Sequence, residues 1–167
     1  LIEILVTRTQ KQIQEIKENY PIMYPGRDLK KDIHSETSGN FRKMLESLLE
    51  ANRNMNNKQD EKECKELAYQ LFEAGENRLG TDEKVFINIF TTKSPSEIDF
   101  IARIYYKLTK HTLLQAVESE FSCNSKKCLV AILYAMLSPS EFFAKRINKA
   151  VKGLGTDYKA LIRILVS

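Results

Sequence analysis

The sequence predicts an all-α fold, and three observations carry the prediction. Apolar residues recur at helical spacing in segment after segment, the chain repeats itself, and breakers are scarce, with 6 Gly and 4 Pro among 167 residues. Spacing of i, i+3 and i+4 puts apolar side chains on one helix face, whereas turn-dense β folds draw more heavily on Gly and Pro. Composition bounds the rest. At 43% hydrophobic and 29% charged residues the chain is globular in class, not disordered. A net charge of +4 is mild for this length and argues against a nucleic-acid partner. No apolar run approaches the ~20 residues of a membrane-spanning helix. Three cysteines, Cys64, Cys123 and Cys128, are an odd and sparse set, which favours a reducing compartment. The first residue is Leu1, so the true N-terminus is expected to lie outside this sequence.

The repetition has three phases. Leu1-Ile2-Glu3-Ile4-Leu5-Val6-Thr7 returns as Phe86-Ile87-Asn88-Ile89-Phe90-Thr91-Thr92 and again as Leu161-Ile162-Arg163-Ile164-Leu165-Val166-Ser167. Ile33-His34-Ser35-Glu36-Thr37-Ser38-Gly39-Asn40 returns as Val117-Glu118-Ser119-Glu120-Phe121-Ser122-Cys123-Asn124. Leu79-Gly80-Thr81-Asp82 returns as Leu154-Gly155-Thr156-Asp157. The chain therefore divides into the back of one repeat (1–51), a polar linker (52–59), a whole repeat (60–137) and the front of a third (138–167).

Each element has its own justification. Ile13, Ile16 and Tyr20 follow a capping signal at Thr9-Gln10-Lys11-Gln12; Phe41, Met44, Leu45 and Leu48 make the next stripe. In the whole repeat five helices are expected, over 60–74, 81–92, 95–107, 112–120 and 123–137. Cys64, Leu67, Ala68, Leu71 and Phe72 stripe the first; Ile98, Ile101, Ala102 and Tyr105 the third; Cys128, Leu129, Ile132, Leu133 and Met136 the fifth. Ser94-Pro95-Ser96-Glu97 and Ser138-Pro139-Ser140-Glu141 read as capping boxes with Pro at the first helical position. Thr112-Leu113-Leu114-Gln115 and Asp60-Glu61-Lys62-Glu63 follow the same logic, and Thr81 and Thr156 are expected to cap the helices after them.

No enzyme signature is present. His34 and His111 stand at no nucleophile or metal spacing; His34 reads as a surface residue, and Cys128 continues an apolar stripe. The glycine loops are more informative. Ala74–Thr81 and Val151–Thr156 each join two helices, and in the plainest reading Gly ends one helix while Thr caps the next. A helix C-terminus also presents unpaired carbonyls at the negative end of its dipole. Glycines allow several carbonyls to converge, and a hard cation taking 6–8 oxygens fits there once a carboxylate completes the shell. Glu120 is the candidate carboxylate, and Glu36 holds the same place one repeat earlier.

Lys152-Gly153-Leu154-Gly155-Thr156-Asp157 followed by Leu161–Ser167 resembles an annexin repeat, as do Glu36-Thr37-Ser38-Gly39-Asn40-Phe41 and Ala74-Gly75-Glu76 with Gly80-Thr81-Asp82-Glu83. The resemblance covers the whole chain. It implies repeats of five short helices in a right-handed superhelical bundle, here the end of the second repeat, all of the third and the start of the fourth, hence a partial core. It also implies calcium-dependent binding to acidic phospholipid membranes by a cytoplasmic, peripheral protein that is not an enzyme. The implied Ca²⁺ ligands are the carbonyls of Gly75, Arg78 and Gly80 with bidentate Glu120, and the carbonyls of Val151, Gly153 and Gly155. Glu36 would serve a loop preceding Leu1. Arg78, Leu79, Lys152 and Leu154 are the expected membrane-contacting residues.

Some positions depart from the family pattern. Cys123 stands where Gly is expected and Phe121 where Thr is usual, both beside Glu120; Leu79 stands where many relatives carry Trp; Lys126 and Lys127 make a helix start basic. Two alternatives follow: an annexin-like scaffold that has lost calcium control and acts through protein contacts, and a HEAT-type α-solenoid. The slice also predicts uncovered apolar faces at Ile13, Ile16, Phe41 and Met44 and at Phe143, Ile147, Leu161 and Leu165. Two outcomes follow: the chain is part of a longer polypeptide that covers these faces, or it associates head to tail, bringing Gly153 and Gly155 beside Glu36 of a second copy.

Overall fold

The computed structural model describes residues 1–53, 60–152 and 155–166; most of the expected linker, together with Gly153 and Leu154, lies outside the described residues. Eleven helices and no strand are found among the described residues. They are α1 (Ile2–Thr7), α2 (Gln10–Met23), α3 (Leu29–Glu36), α4 (Gly39–Glu50), α5 (Glu61–Ala74), α6 (Glu83–Thr92), α7 (Pro95–Thr109), α8 (Leu113–Glu120), α9 (Cys123–Leu137), α10 (Pro139–Val151) and α11 (Tyr158–Leu165). The expected all-α class is observed, and α1–α4 recur in order as α6–α9.

Helix starts follow side-chain chemistry. Thr9, Ser94 and Thr112 each form the reciprocal capping box with Gln12, Glu97 and Gln115, satisfying backbone donors that have no intrahelical partner. Asp60 accepts from the Lys62 and Glu63 N–H groups. Two capping expectations are corrected. The caps of α6 and α11 are Asp82 and Asp157, whose carboxylates accept from the Lys84 and Ala160 N–H groups; Thr81 is drawn instead to a carboxylate from another helix. Ser138 makes no side-chain cap because it ends α9 and begins α10 at once, and Glu141 turns outward to Lys145 at 2.8 Å.

The stripes read from sequence form the core. Cys64, Leu67, Ala68 and Leu71 of α5, Ile98, Ile101 and Tyr105 of α7 and Met44, Leu45 and Leu48 of α4 are buried. Each large apolar side chain so buried contributes roughly 1.5–3 kcal/mol. α9 is apolar around most of its girth and packs against α1, α4, α6, α7, α8 and α10. Burial pushes the Cys128 thiol up to about 12, so it behaves as a packing residue. Ile13 and Met44, expected to be uncovered, are buried at 4% and 0% exposure, because α1, α3 and α6 cover that end.

Two polar ties join the segments. Arg53, at the start of the linker, donates to the carbonyls of Lys93 at 2.9 Å and Phe90 at 3.2 Å, a cation on the negative end of α6. Burial lowers its guanidinium to about 10. Buried Glu3 of α1 meets Arg146 of α10 at 3.5 Å and Arg163 of α11 at 3.4 Å.

Candidate functional site

The site begins where α5 ends. Its last carbonyls are taken by a tight chain reversal: Gly75 N–H donates to Leu71 and Phe72, Asn77 N–H to Phe72 and Asp82 N–H to Ala74 at 2.7 Å. Arg78 N–H closes a turn onto the Gly75 carbonyl at 3.1 Å. The carbonyls of Arg78 and Gly80 accept no hydrogen bond among the described residues. Gly80 sits at φ 79°, a conformation that favours glycine. Leu79 is fully exposed at the tip, and Arg78 reaches only as far as a long 4.0 Å pair with Asp82.

Glu120 arrives from the end of α8. Its Oε2 accepts a short hydrogen bond from the Thr81 hydroxyl. Gly75 is buried directly beneath it: a Cβ there would lie 3.5 Å from Glu120 Cγ and 3.1 Å from Phe86 Cζ. The structure thus brings Gly75, Arg78, Gly80 and Glu120 into one place. The two departures beside Glu120 are absorbed. Phe121 is buried, edge-on to Phe86 with ring centroids 5.2 Å apart. Cys123 takes φ 50°, close to the 59° of Gly39 at the equivalent helix start.

A second layer was not legible in sequence. Glu76, next to Gly75, accepts from the Tyr105 hydroxyl at 2.7 Å and lies 2.9 Å from His111 Nδ1. Burial and the Glu76 carboxylate together hold the Tyr105 hydroxyl above its usual range. Tyr105 and His111 are thus polar supports of the loop. A helical stripe shows only that Tyr105 faces inward; it says nothing about where the hydroxyl ends.

The second loop has the same frame. Asp157 N–H donates to Ala150 at 2.9 Å, and Gly155 lies at φ 92°. Val151, Lys152 and Gly155 are exposed; Gly153 and Leu154 of this loop lie outside the described residues. Glu36 ends α3 exposed, and no described hydrogen bond ties it to a loop. His34 bridges Glu46 at 2.8 Å and Arg42 at 3.1 Å on the surface.

Among the described residues, no three His, Cys, Asp or Glu side chains gather as a metal cluster. At the 75–80 loop the groups brought together are the Glu120 carboxylate and backbone oxygens. Such an all-oxygen set suits a hard cation such as Ca²⁺.

The comparisons agree with this architecture. The family model described as Annexin matches residues 1–48 and 67–132. Human annexin A7 is 42% identical over 167 residues, covering 100% of this chain and 34% of the relative. Human annexin A1 is 42% identical, covering 100% of this chain and 48% of the relative. The solved structure of annexin III superposes with a TM-score of 0.95 at 38% identity, covering 99% of this chain and 51% of that one. The chain spans a third to a half of the length of these relatives. With repeated helices, matched glycine loops and this match over most of its length, the chain belongs to the annexin family.

Proposed function

We propose that this chain binds acidic phospholipid surfaces in a calcium-dependent way, through the 75–80 loop and Glu120. Calcium-dependent phospholipid binding is characteristic of annexins. The observation that carries the reading is the Glu120 carboxylate, delivered from the end of α8 onto Gly75 and Thr81. In this reading the Gly75, Arg78 and Gly80 carbonyls and Glu120 hold Ca²⁺, which supplies a positive charge that phosphate oxygens can share. Glu120 offers charge and two oxygens, Thr81 fixes its rotamer, and Gly75 leaves room for it. Tyr105 and His111 hold Glu76 and with it the turn. Arg78 then meets lipid phosphate while Leu79 enters the interface. The carbonyls of Val151, Gly153 and Gly155 would serve a second site, with Lys152 and Leu154 as its membrane contacts, and Glu36 would serve a loop of the preceding repeat. The repeat boundaries at 1–51, 60–137 and 138–167 belong to the same reading, as do non-enzymatic action and a cytoplasmic, peripheral location. No helix of the described residues is long and apolar enough to cross a membrane.

The test is vesicle sedimentation with and without calcium. Binding to vesicles containing phosphatidylserine should require calcium. Replacing Arg78 and Leu79 together by Ser should reduce binding at saturating calcium while leaving helicity unchanged. Calcium-independent binding to the phosphatidylserine vesicles, or no binding to them with calcium, contradicts the reading.

A further inference from the structure

α9 and α10 join at Ser138 and pack against each other. Lys127 of α9 and Lys149 of α10 both line a cleft of about 290 Å³ between the two helices. Lys145 and Arg146 share its rim, Val130 and Phe142 its floor, and no acidic side chain lines it. Lys145 is paired with Glu141 and Arg146 with Glu3. Lys127 and Lys149 are exposed and form no ion pair among the described residues. Like charges gathered around one cleft repel, and a bound anion relieves that repulsion.

The cleft has a defined orientation. α9 begins just after Glu120, which touches the 75–81 loop, and α10 runs into the 151–157 loop. The Lys127–Lys149 end therefore lies at the end of the molecule that carries both glycine loops. We propose that this cleft binds the phosphomonoester headgroup of a membrane lipid, without calcium. Two uncompensated ammonium groups match a dianionic phosphate better than a singly charged carboxylate. The floor of Val130 and Phe142 seats the carbon atoms next to it. The inference rests on the reading above only for which end of the molecule meets the bilayer.

The test uses the 167-residue chain in EGTA. Vesicles of phosphatidylcholine carry either phosphatidic acid or phosphatidylserine at matched surface charge. Wild type should bind the phosphatidic acid vesicles and leave the phosphatidylserine vesicles unbound. Lys127→Gln with Lys149→Gln should weaken that binding about ten- to thirty-fold. Lys11→Gln with Lys62→Gln, an equal loss of charge elsewhere, should weaken it far less. No binding in EGTA, equal losses in the two double variants, or no preference for phosphatidic acid overturns the proposal. Binding of soluble glycerol 3-phosphate by a chain that ignores vesicles overturns the lipid assignment. Failure of calcium-dependent binding with the EGTA binding intact contradicts the calcium reading alone.

Discussion

Glu120 and Glu36 occupy equivalent places in different surroundings. Each is the last residue of an eight-residue helix, followed by an extended residue, a serine at the next N-cap and a residue at positive φ. Glu120 is half-buried against Gly75 and hydrogen-bonded to Thr81. Glu36 is exposed. The helix end sets where the carboxylate stands; the loop packed against it makes it part of a site. The same lesson comes from Gly75 and Val151, which follow Ala74 and Ala150 at the two loop starts. Gly75 is buried under Glu120 and Phe86, whereas Val151 is 48% exposed.

Breaking the comparison at Gly75 should have the largest effect on the fold. Gly75→Val places side-chain atoms against Phe86 and Glu120, and overpacking of this kind costs about 1–3 kcal/mol. Val151→Gly, by contrast, at the exposed last residue of α10, should change stability by well under about 1 kcal/mol, because Val is itself a weak helix former. Urea titration of both variants checks the contrast.

A smaller effect is expected at Tyr105. Tyr105→Phe keeps the packing of α7 and removes the hydroxyl that Glu76 accepts, a net loss of about 1 kcal/mol. It should also weaken calcium binding at the 75–80 loop without altering helicity, as measured by calorimetry and circular dichroism.

The smallest effect sharpens the match between the two helix starts. Cys123 holds a left-handed conformation that Gly39 holds at no steric cost. Cys123→Gly should stabilise by about 1 kcal/mol, the strain relieved less glycine's extra chain entropy, or a Tm rise of about 2–4 °C. Gly39→Ala should move Tm the other way by a similar amount.

Periodicity located the helices and their buried faces because burial of Leu71, Ile101 or Leu129 depends on local spacing that repeats along the chain. Glu120 was legible for a different reason: internal repetition gave two copies of one position, and the family resemblance gave it a role. What the sequence did not show is what packing decides. Thr81 reads as a cap, and it becomes a donor to Glu120 only because α8 ends beside it; Asp82 is then left to cap α6. Glu76, Tyr105 and His111 are 29 and 35 positions apart along the chain, and nothing local ties them together. Arg53 reads as linker, yet it reaches the end of α6, a contact that exists only after the helices pack.

The central claim is that one carboxylate completes the 75–80 loop as a calcium site, and calorimetric titration with Ca²⁺ tests it most directly. Glu120→Gln should weaken binding at that loop at least as much as loss of an outer-shell partner, about 10–100-fold, with helicity unchanged. Glu36→Gln should leave the same binding intact. Calcium affinity at the loop that is unchanged in Glu120→Gln, or lost equally in both variants, would contradict the account.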